Sequence, residues 1–375
     1  VRALLLNQFY PPDAAPTGQA LQDLARALAA CGHEVDVVHS RASSARTGLA
    51  GKAWDYVWYG ARLALASRRL PRPDVIVALT TPPYLGLLSS RLPRWRGVPR
   101  VEWTMDVYPG VLAAHGLLRR GGAVFRFLDA RASAQLRGAA AVIALGPFMA
   151  RALEPHVGPG RLSWVPLWGQ GAEGPAPPAE VAEIRHARGW TDGDLVLLYS
   201  GNMGRAHRLS EFLEAAARLG PAGPRWAFLG GGFRRAEVEA FTRERRDARV
   251  ELLAYEPRAR LRASLGAADV HLASLSSAWQ GLVVPSKVQA AFAAARPVIF
   301  LGPRENEGAS WVEESGGGWV VAEGDVAGLL TAVAQARDPA ERSRRGQAGL
   351  AFALERFDLT RNVERVARIV EAAAR

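Results

Sequence analysis

A single cysteine, Cys31, and only two lysines, Lys52 and Lys287, occur among the 375 residues. One thiol excludes an intrachain disulfide. With no signal-peptide pattern ahead of the strand-like run that opens at Val1, a cytoplasmic setting is expected. No run of about 18 apolar residues occurs, so any membrane contact is expected to be peripheral, at the inner face of the cell membrane. No Gly-x-Gly-x-x-Gly opens the first helix and no acid paired with such a motif sits about 20 residues on, which argues against a dinucleotide oxidoreductase. The seven histidines are scattered, which argues against a metal centre.

Carboxylates are scarce in one part only. Residues 1–168 carry 20 basic and 10 acidic side chains, the remainder 27 and 26. A one-sided positive field attracts anionic membrane surfaces or nucleic acid. Arginine bias from a GC-rich genome explains arginine over lysine but not this asymmetry. The membrane reading is favoured, and no nucleic-acid partner is expected. Trp54, Trp58 and Tyr59 beside Arg62, Arg68 and Arg69, with Trp95 among Arg91, Arg94, Arg96 and Arg100, fit a peripheral surface, although aromatics in basic helices also serve as core.

The length suits two α/β domains of roughly 150–200 residues each. Strand-like runs at 2–7, 34–39, 74–79, 100–103, 141–145 and 162–165 alternate with helical patterns near 17–31, 54–69 and 84–92. Residues 169–180 concentrate glycine and proline and read as a linker. The alternation restarts with strands at 195–199, 226–229, 249–253, 269–273, 297–301 and 318–321, and an amphipathic helix with Val363, Val366, Ile369 and Val370 on one side closes the chain. The expected domains are 1–168, 181–357 and a terminal helix over 358–375.

Parallel sheets bind ligands at the carboxyl ends of their strands, and several such ends carry suggestive turns. Gly18 opens the first helix, where backbone N–H groups meet anions, although glycine and proline make ordinary loops too. Ser200 to Arg208 reads Ser-Gly-Asn-Met-Gly-Arg-Ala-His-Arg, and Arg205 and Arg208 at a helix N-terminus oppose its dipole unless an anion arrives. Gly230-Gly231-Gly232 allows backbone to touch a nucleotide or simply a sharp turn. Tyr255-Glu256-Pro257 offers amides to a base or forms a plain loop. Ser286-Lys287 sets a point charge in an apolar stretch, as phosphate recognition needs. Asp106 ends a strand of the first half and can orient an acceptor hydroxyl. Glu305 and Glu307 follow a strand end where sugar hydroxyls are expected. Helix capping is the plainer role for each of these three acids.

The ordered set Tyr199–Arg208, Gly230–Gly232, Tyr255–Pro257, Ala268-Asp269-Val270 and Val284-Pro285-Ser286-Lys287, followed by Ala295-Arg296-Pro297-Val298-Ile299, resembles the retaining glycosyltransferase family 4, above all its bacterial cell-surface polysaccharide members. Gly32-His33-Glu34-Val35 and Met105-Asp106-Val107-Tyr108-Pro109 extend the resemblance over nearly the whole chain. It implies a GT-B fold: two Rossmann-like domains facing each other across a deep cleft, the terminal helix returning to the N-terminal domain. It implies a metal-independent hexosyltransferase-type enzyme that needs no cofactor and takes a nucleoside-diphosphate sugar such as a UDP-sugar. The acceptor, lipid-linked or glycan, would sit on the N-terminal domain. Catalytic roles would fall to Asp106, Arg205, Lys287 and Glu307. Donor contacts would fall to Gly18, Gly201, Asn202, Arg208, Gly231, Gly232, Tyr255, Pro257, Ser286 and Glu305.

The family's paired glutamates correspond to Leu282 and Ala290, and an acid often found after Asp-x-Tyr-Pro corresponds to Gly110. The family's Asn-Trp-x-Asp reads here as Leu167-Trp168-Gly169-Gln170. Two alternatives therefore stay open, a non-catalytic sugar-nucleotide-binding protein and a nucleotide-sugar epimerase on the same scaffold. Oligomeric state is not legible.

Overall fold

The computed structural model describes residues 1–13, 15–40, 49–168 and 174–375, with the backbone alone at 49, 50, 52 and 53. Two units emerge. The first comprises Val1–Trp168, Gly281–Val283 and Leu359–Arg375, and the second Gly169–Gln280 and Val284–Asp358.

In the first unit the chain runs β1 (Arg2–Leu6), α1 (Pro16–Ala30), β2 (Glu34–Val38), α2 (Leu49–Arg69), β3 (Val75–Leu79), α3 (Leu85–Ser89), β4 (Arg100–Trp103), α4 (Gly110–Ala114), α5 (Ala123–Arg137), β5 (Ala141–Ala144), α6 (Pro147–Leu153) and β6 (Leu162–Trp164). The strands form one parallel sheet in the order β2-β1-β3-β4-β5-β6, with Leu4 opposite both Asp36 and Ile76. Helices cover both faces of such a sheet, so a central strand such as β3 reads as a continuous apolar run: all of Val75–Leu79 is buried.

The second unit runs α7 (Pro178–Ala187), β7 (Val196–Ser200), α8 (Ser210–Leu219), β8 (Arg225–Leu229), α9 (Arg235–Glu244), β9 (Val250–Leu253), α10 (Arg258–Gly266), β10 (Val270–Ser274), α11 (Lys287–Ala293), β11 (Val298–Leu301), α12 (Glu307–Ser315), β12 (Gly318–Val321), α13 (Val326–Gln335) and α14 (Pro339–Arg356). Its parallel sheet has the order β12-β11-β10-β7-β8-β9. In each sheet the chain starts near the middle, builds outward, then crosses back: after β2 in the first unit and after β9 in the second. The switch points therefore lie between β1 and β3 and between β7 and β10, and the loops leaving those strands diverge to make a crevice.

The last helix, α15 (Leu359–Ala373), belongs to the first unit and packs against α1, β4 and β5. Val363, Val366 and Val370 are buried there, and His33 Nε2 lies 2.8 Å from Glu371 Oε1. The breaker-rich span 169–180 is shorter as a connection than its composition suggests, because α7 starts at Pro178. Proline suits a first helical position, where its missing N–H removes no bond. Residues 169–173, with the Gly169-Gln170 pair, lie outside the described residues.

The aromatic and basic helix α2 divides by face. Tyr59, Leu63 and Ser67 turn inward, and the Tyr59 hydroxyl donates to the Val38 carbonyl at 2.8 Å. Trp54 and Trp58 are 51% and 59% exposed, their rings edge to face at 5.9 Å. Tyr59 and Trp95 are thus core residues, a correction to their expected place on a peripheral surface; Trp54 and Trp58 remain outside.

Candidate functional site

Three loops of the second unit meet at the carboxyl ends of β7, β8 and β9. Gly201, Gly230 and Gly232 have φ of +108°, +125° and +123°, a region open to glycine and strained for other residues. A Cβ on Gly230 would stand 2.3 Å from the Gly201 carbonyl oxygen, and one on Gly232 would stand 2.3 Å from Asn202 Oδ1. Between them the Met203 N–H donates to the Gly231 carbonyl at 2.7 Å. The two glycine turns therefore lie backbone on backbone. The ring of Tyr255 reaches over them, 3.2 Å from where a Gly231 Cβ would sit, and keeps 61% of its surface exposed.

Lys287 enters this loop cluster from the start of α11. Its Nζ donates to the Asn202 carbonyl at 3.2 Å and to His207 Nε2 at 3.1 Å, and it lies 5.0 Å from the centroid of the Tyr199 ring. His207 Nδ1 is 2.6 Å from the Ser274 carbonyl oxygen. A carbonyl only accepts, so Nδ1 carries the proton and Nε2 turns a lone pair to the ammonium. Burial, reinforced by the Lys287 charge, pushes the imidazole down to about 3, so it stays neutral. Burial also pushes Lys287 down to about 8. Among the described residues no carboxylate pairs with this lysine. A half-buried cation satisfied only by neutral acceptors and ring faces keeps its charge uncompensated within the unit.

The two arginines of the same loop part company. Arg205 is exposed, with its Cζ stacked 3.4 Å from the Phe233 ring centroid. Arg208 forms ion pairs with Glu211 at 2.5 Å and Glu323 at 2.7 Å. Its expected need for a ligand anion is corrected by those two carboxylates, which answer its charge from within the unit. Glu307 is likewise corrected: it is 0% exposed inside the first turn of α12, away from any surface a sugar could reach. Glu305 is exposed and accepts from Gln280 Nε2 at 3.3 Å. Ser286 and Pro257 occupy the positions just before α11 and α10.

In the first unit Asp106 follows β4. Its backbone N–H and that of Met105 donate to Thr80 Oγ1 at 3.2 and 3.1 Å, which joins the loops after β3 and β4. Burial pushes its carboxyl up to about 6. Thr80, Tyr84, Thr104, Asp106, Tyr108 and Gln135 share a small pocket there. Gly18 has a cause within its own unit: a Cβ would meet the Phe9 and Tyr10 backbone at 3.0 Å. Close chain packing is by itself a sufficient cause for this glycine. Gly110 lies against Leu282, whose Cδ2 would be 2.6 Å from a Cβ at 110, while the Val107 N–H donates to the Leu282 carbonyl at 2.9 Å. Two of the acids missing from the family pattern, those at 110 and 282, are thus replaced by one apolar contact.

Sequence reasoning missed His207 as the partner of Lys287, and missed Thr80, Tyr84 and Thr104. Tyr84 stands in left-handed backbone at φ +63°, and nothing in Thr-Pro-Pro-Tyr announces that. His207 and Lys287 are 80 positions apart, so only the fold joins them.

The two switch-pointed parallel sheets, one with a cation-and-glycine loop cluster, define a two-unit α/β architecture of the GT-B class. Residues 17–167 match the model for Glycosyltransferase Family 4, and residues 194–338 match that for Glycosyl transferases group 1. Together these matches span most of the chain, which belongs to glycosyltransferase family 4. A probable glycosyltransferase, WbjE of Pseudomonas aeruginosa, is 28% identical over 255 residues, 67% of this chain. The chain spans 63% of that relative's length. Among solved structures, HepE of Anabaena in complex with UDP aligns with a TM-score of 0.71 at 15% identity, over 99% of this chain and 100% of that one. WaaG, a glycosyltransferase involved in lipopolysaccharide biosynthesis, aligns at 0.71 and 17%, over 99% of each chain. Sucrose-phosphate synthase from Thermosynechococcus elongatus reaches 0.78 at 15%, over 99% and 98%. These likenesses establish the fold.

Proposed function

We propose that the protein transfers a sugar from a nucleoside-diphosphate sugar to a hydroxyl acceptor. The observation that carries this reading is Lys287, a cation set among glycine turns and held by neutral groups alone. In the transfer the bond from the anomeric carbon to the diphosphate oxygen breaks, a bond to the acceptor oxygen forms, and the acceptor hydroxyl gives up its proton. Negative charge grows on the departing diphosphate, and Lys287, Arg205 and the backbone N–H groups of the glycine turns meet it there. Tyr255 offers its ring to the base. HepE was solved with UDP and with UDP-glucose, which supports a uridine donor. The retaining outcome rests on the family resemblance, and these cations take the charge-balancing role without a metal. Neither a binding protein without turnover nor an epimerase is favoured by WbjE, WaaG and sucrose-phosphate synthase, whose descriptions denote sugar transfer or synthesis.

For the acceptor we propose a lipid-linked or glycan hydroxyl reached at an anionic membrane surface. No helix among the described residues is long and apolar enough to cross a membrane. Exposed Trp54, Val57, Trp58 and Leu65 of α2 lie beside Arg62, Arg68 and Arg69, and exposed Leu117, Val124 and Phe127 beside Arg119, Arg120 and Arg126. Apolar side chains ringed by arginine suit a headgroup boundary.

Calorimetric titration tests the donor reading. Lys287→Met is expected to weaken UDP binding about tenfold or more while leaving uridine affinity nearly unchanged, because a charge-assisted bond to phosphate is lost. Equal losses for both ligands would remove the phosphate role.

A further inference from the structure

Three polar groups at one pocket of the first unit have no protein partner. Thr104 is buried and its Oγ1 has no hydrogen-bonding neighbour; the Tyr84 hydroxyl is buried and equally unmatched. Among the described residues no donor reaches the Asp106 carboxylate either. All three line the same pocket, whose free volume is about 30 Å³. Buried hydroxyls are nearly always paired in folded proteins, so two orphans and an unmatched acid side by side are a marked departure. The Tyr84 backbone adds to it: an aromatic residue held at φ +63° is strained, and strain of this kind persists where surrounding structure fixes a side chain in place.

The walls explain why the groups stay. Thr80 Oγ1 ties down the Asp106 backbone. Gln135 is locked on the other side, its Nε2 donating to Glu102 at 2.8 Å and its Oε1 accepting from the Leu87 N–H at 3.2 Å. Neither anchor is free to turn and satisfy the orphans. The space takes one or two hydroxyl-sized groups and excludes a sugar ring.

We propose that Asp106, Tyr84 and Thr104 form a subsite for a single hydroxyl or hydroxymethyl group of the sugar acceptor. The carboxylate accepts the ligand O–H, while the Tyr84 and Thr104 hydroxyls donate to its oxygen. The inference rests on the sugar-transfer reading and assigns to it a positioning site for one acceptor substituent, on the first unit alone.

Tyr84→Phe and Thr104→Val remove a hydroxyl with little change of shape. Binding of submicellar n-octyl β-D-glucoside, β-D-galactoside, α-D-mannoside and N-acetyl-β-D-glucosaminide is followed by ligand-observed NMR, with UDP affinity measured on the same samples. At least one glycoside is expected to bind the parent protein and to lose about five- to tenfold affinity in each variant, as one hydrogen bond predicts. The Tm of both ligand-free variants is expected to hold or rise, since each sheds an unmatched polar group. Failure of all four glycosides to bind, or equal affinity in parent and variants, would overturn the subsite. A fall in Tm with unchanged glycoside binding would overturn it too, in favour of a purely structural hydroxyl. Loss of UDP binding in the parent protein would instead strike the donor reading and leave the glycoside result to judge the subsite.

Discussion

Lys287 titrates at about 8 rather than 10.5 because burial disfavours its charge. Between those values the unfolded chain holds a proton that the native one has released, so native stability rises with pH through that window. Below about 8 the burial cost is fully present. Affinity for UDP runs the other way, since the diphosphate needs the ammonium: it should fall as pH rises above about 8. Urea unfolding and calorimetry at several pH values, compared with Lys287→Met, check both slopes; in that variant both should flatten. His207 stays neutral throughout, so its part is to accept from the ammonium. His207→Gln retains an acceptor and should keep most UDP affinity. His207→Phe removes it, and the pH midpoint of UDP binding should shift as the lysine loses a partner. An unmoved midpoint would reduce His207 to packing.

At the level of elements, the glycine turns after α1 and β8 carry unequal risk. Gly32, just beyond α1, has φ +81° with nothing within 4 Å of a Cβ, whereas Gly230 has φ +125° and a carbonyl oxygen at 2.3 Å. Gly32→Ala should cost about 1 kcal/mol from backbone conformation alone. Gly230→Ala must also push two turns apart, and a loss above ~2 kcal/mol is expected in chemical denaturation, with UDP affinity falling alongside. The apolar contact of Gly110 with Leu282 yields a paired test. Gly110→Ala should destabilise the protein, and Leu282→Ala in the same chain should recover part of that loss by making room. Double-mutant coupling in unfolding free energy measures it.

For the molecule as a whole, charge and exposed apolar surface coincide on the first unit. Vesicle sedimentation with phosphatidylglycerol should capture the protein at low salt and release it as the Debye length shrinks from about 10 Å at 0.1 M to about 3 Å at 1 M. Trp54→Ser together with Trp58→Ser should weaken capture without lowering Tm, because both side chains already face solvent. The strands of both sheets were legible to within a residue or two, since parallel strands buried on both faces must be continuous apolar runs. Lys287 stood out because it is one of two lysines in a chain that otherwise uses arginine. Arg208 was misread because Glu323, 115 positions away, joins the nearby Glu211 in answering its charge. Glu307 failed similarly, since a carboxylate beside a glycine reads as surface until the helix around it is seen. The helices α4, α5 and α6 left little trace, being short or lacking a clean apolar stripe, and the orphaned hydroxyls of Tyr84 and Thr104 are visible only once their neighbours are placed.

The helix α15 closes over α1, β4 and β5 although it follows all of them in the chain. During synthesis, residues 1–168 leave the ribosome with that flank of their sheet uncovered, and they wait for nearly two hundred further residues before Leu359–Ala373 arrives. The second unit, almost contiguous in sequence, can finish first. The unit whose strands come first in sequence is therefore the one that completes its core later, and a stop at Asp358 would leave it a client for chaperones.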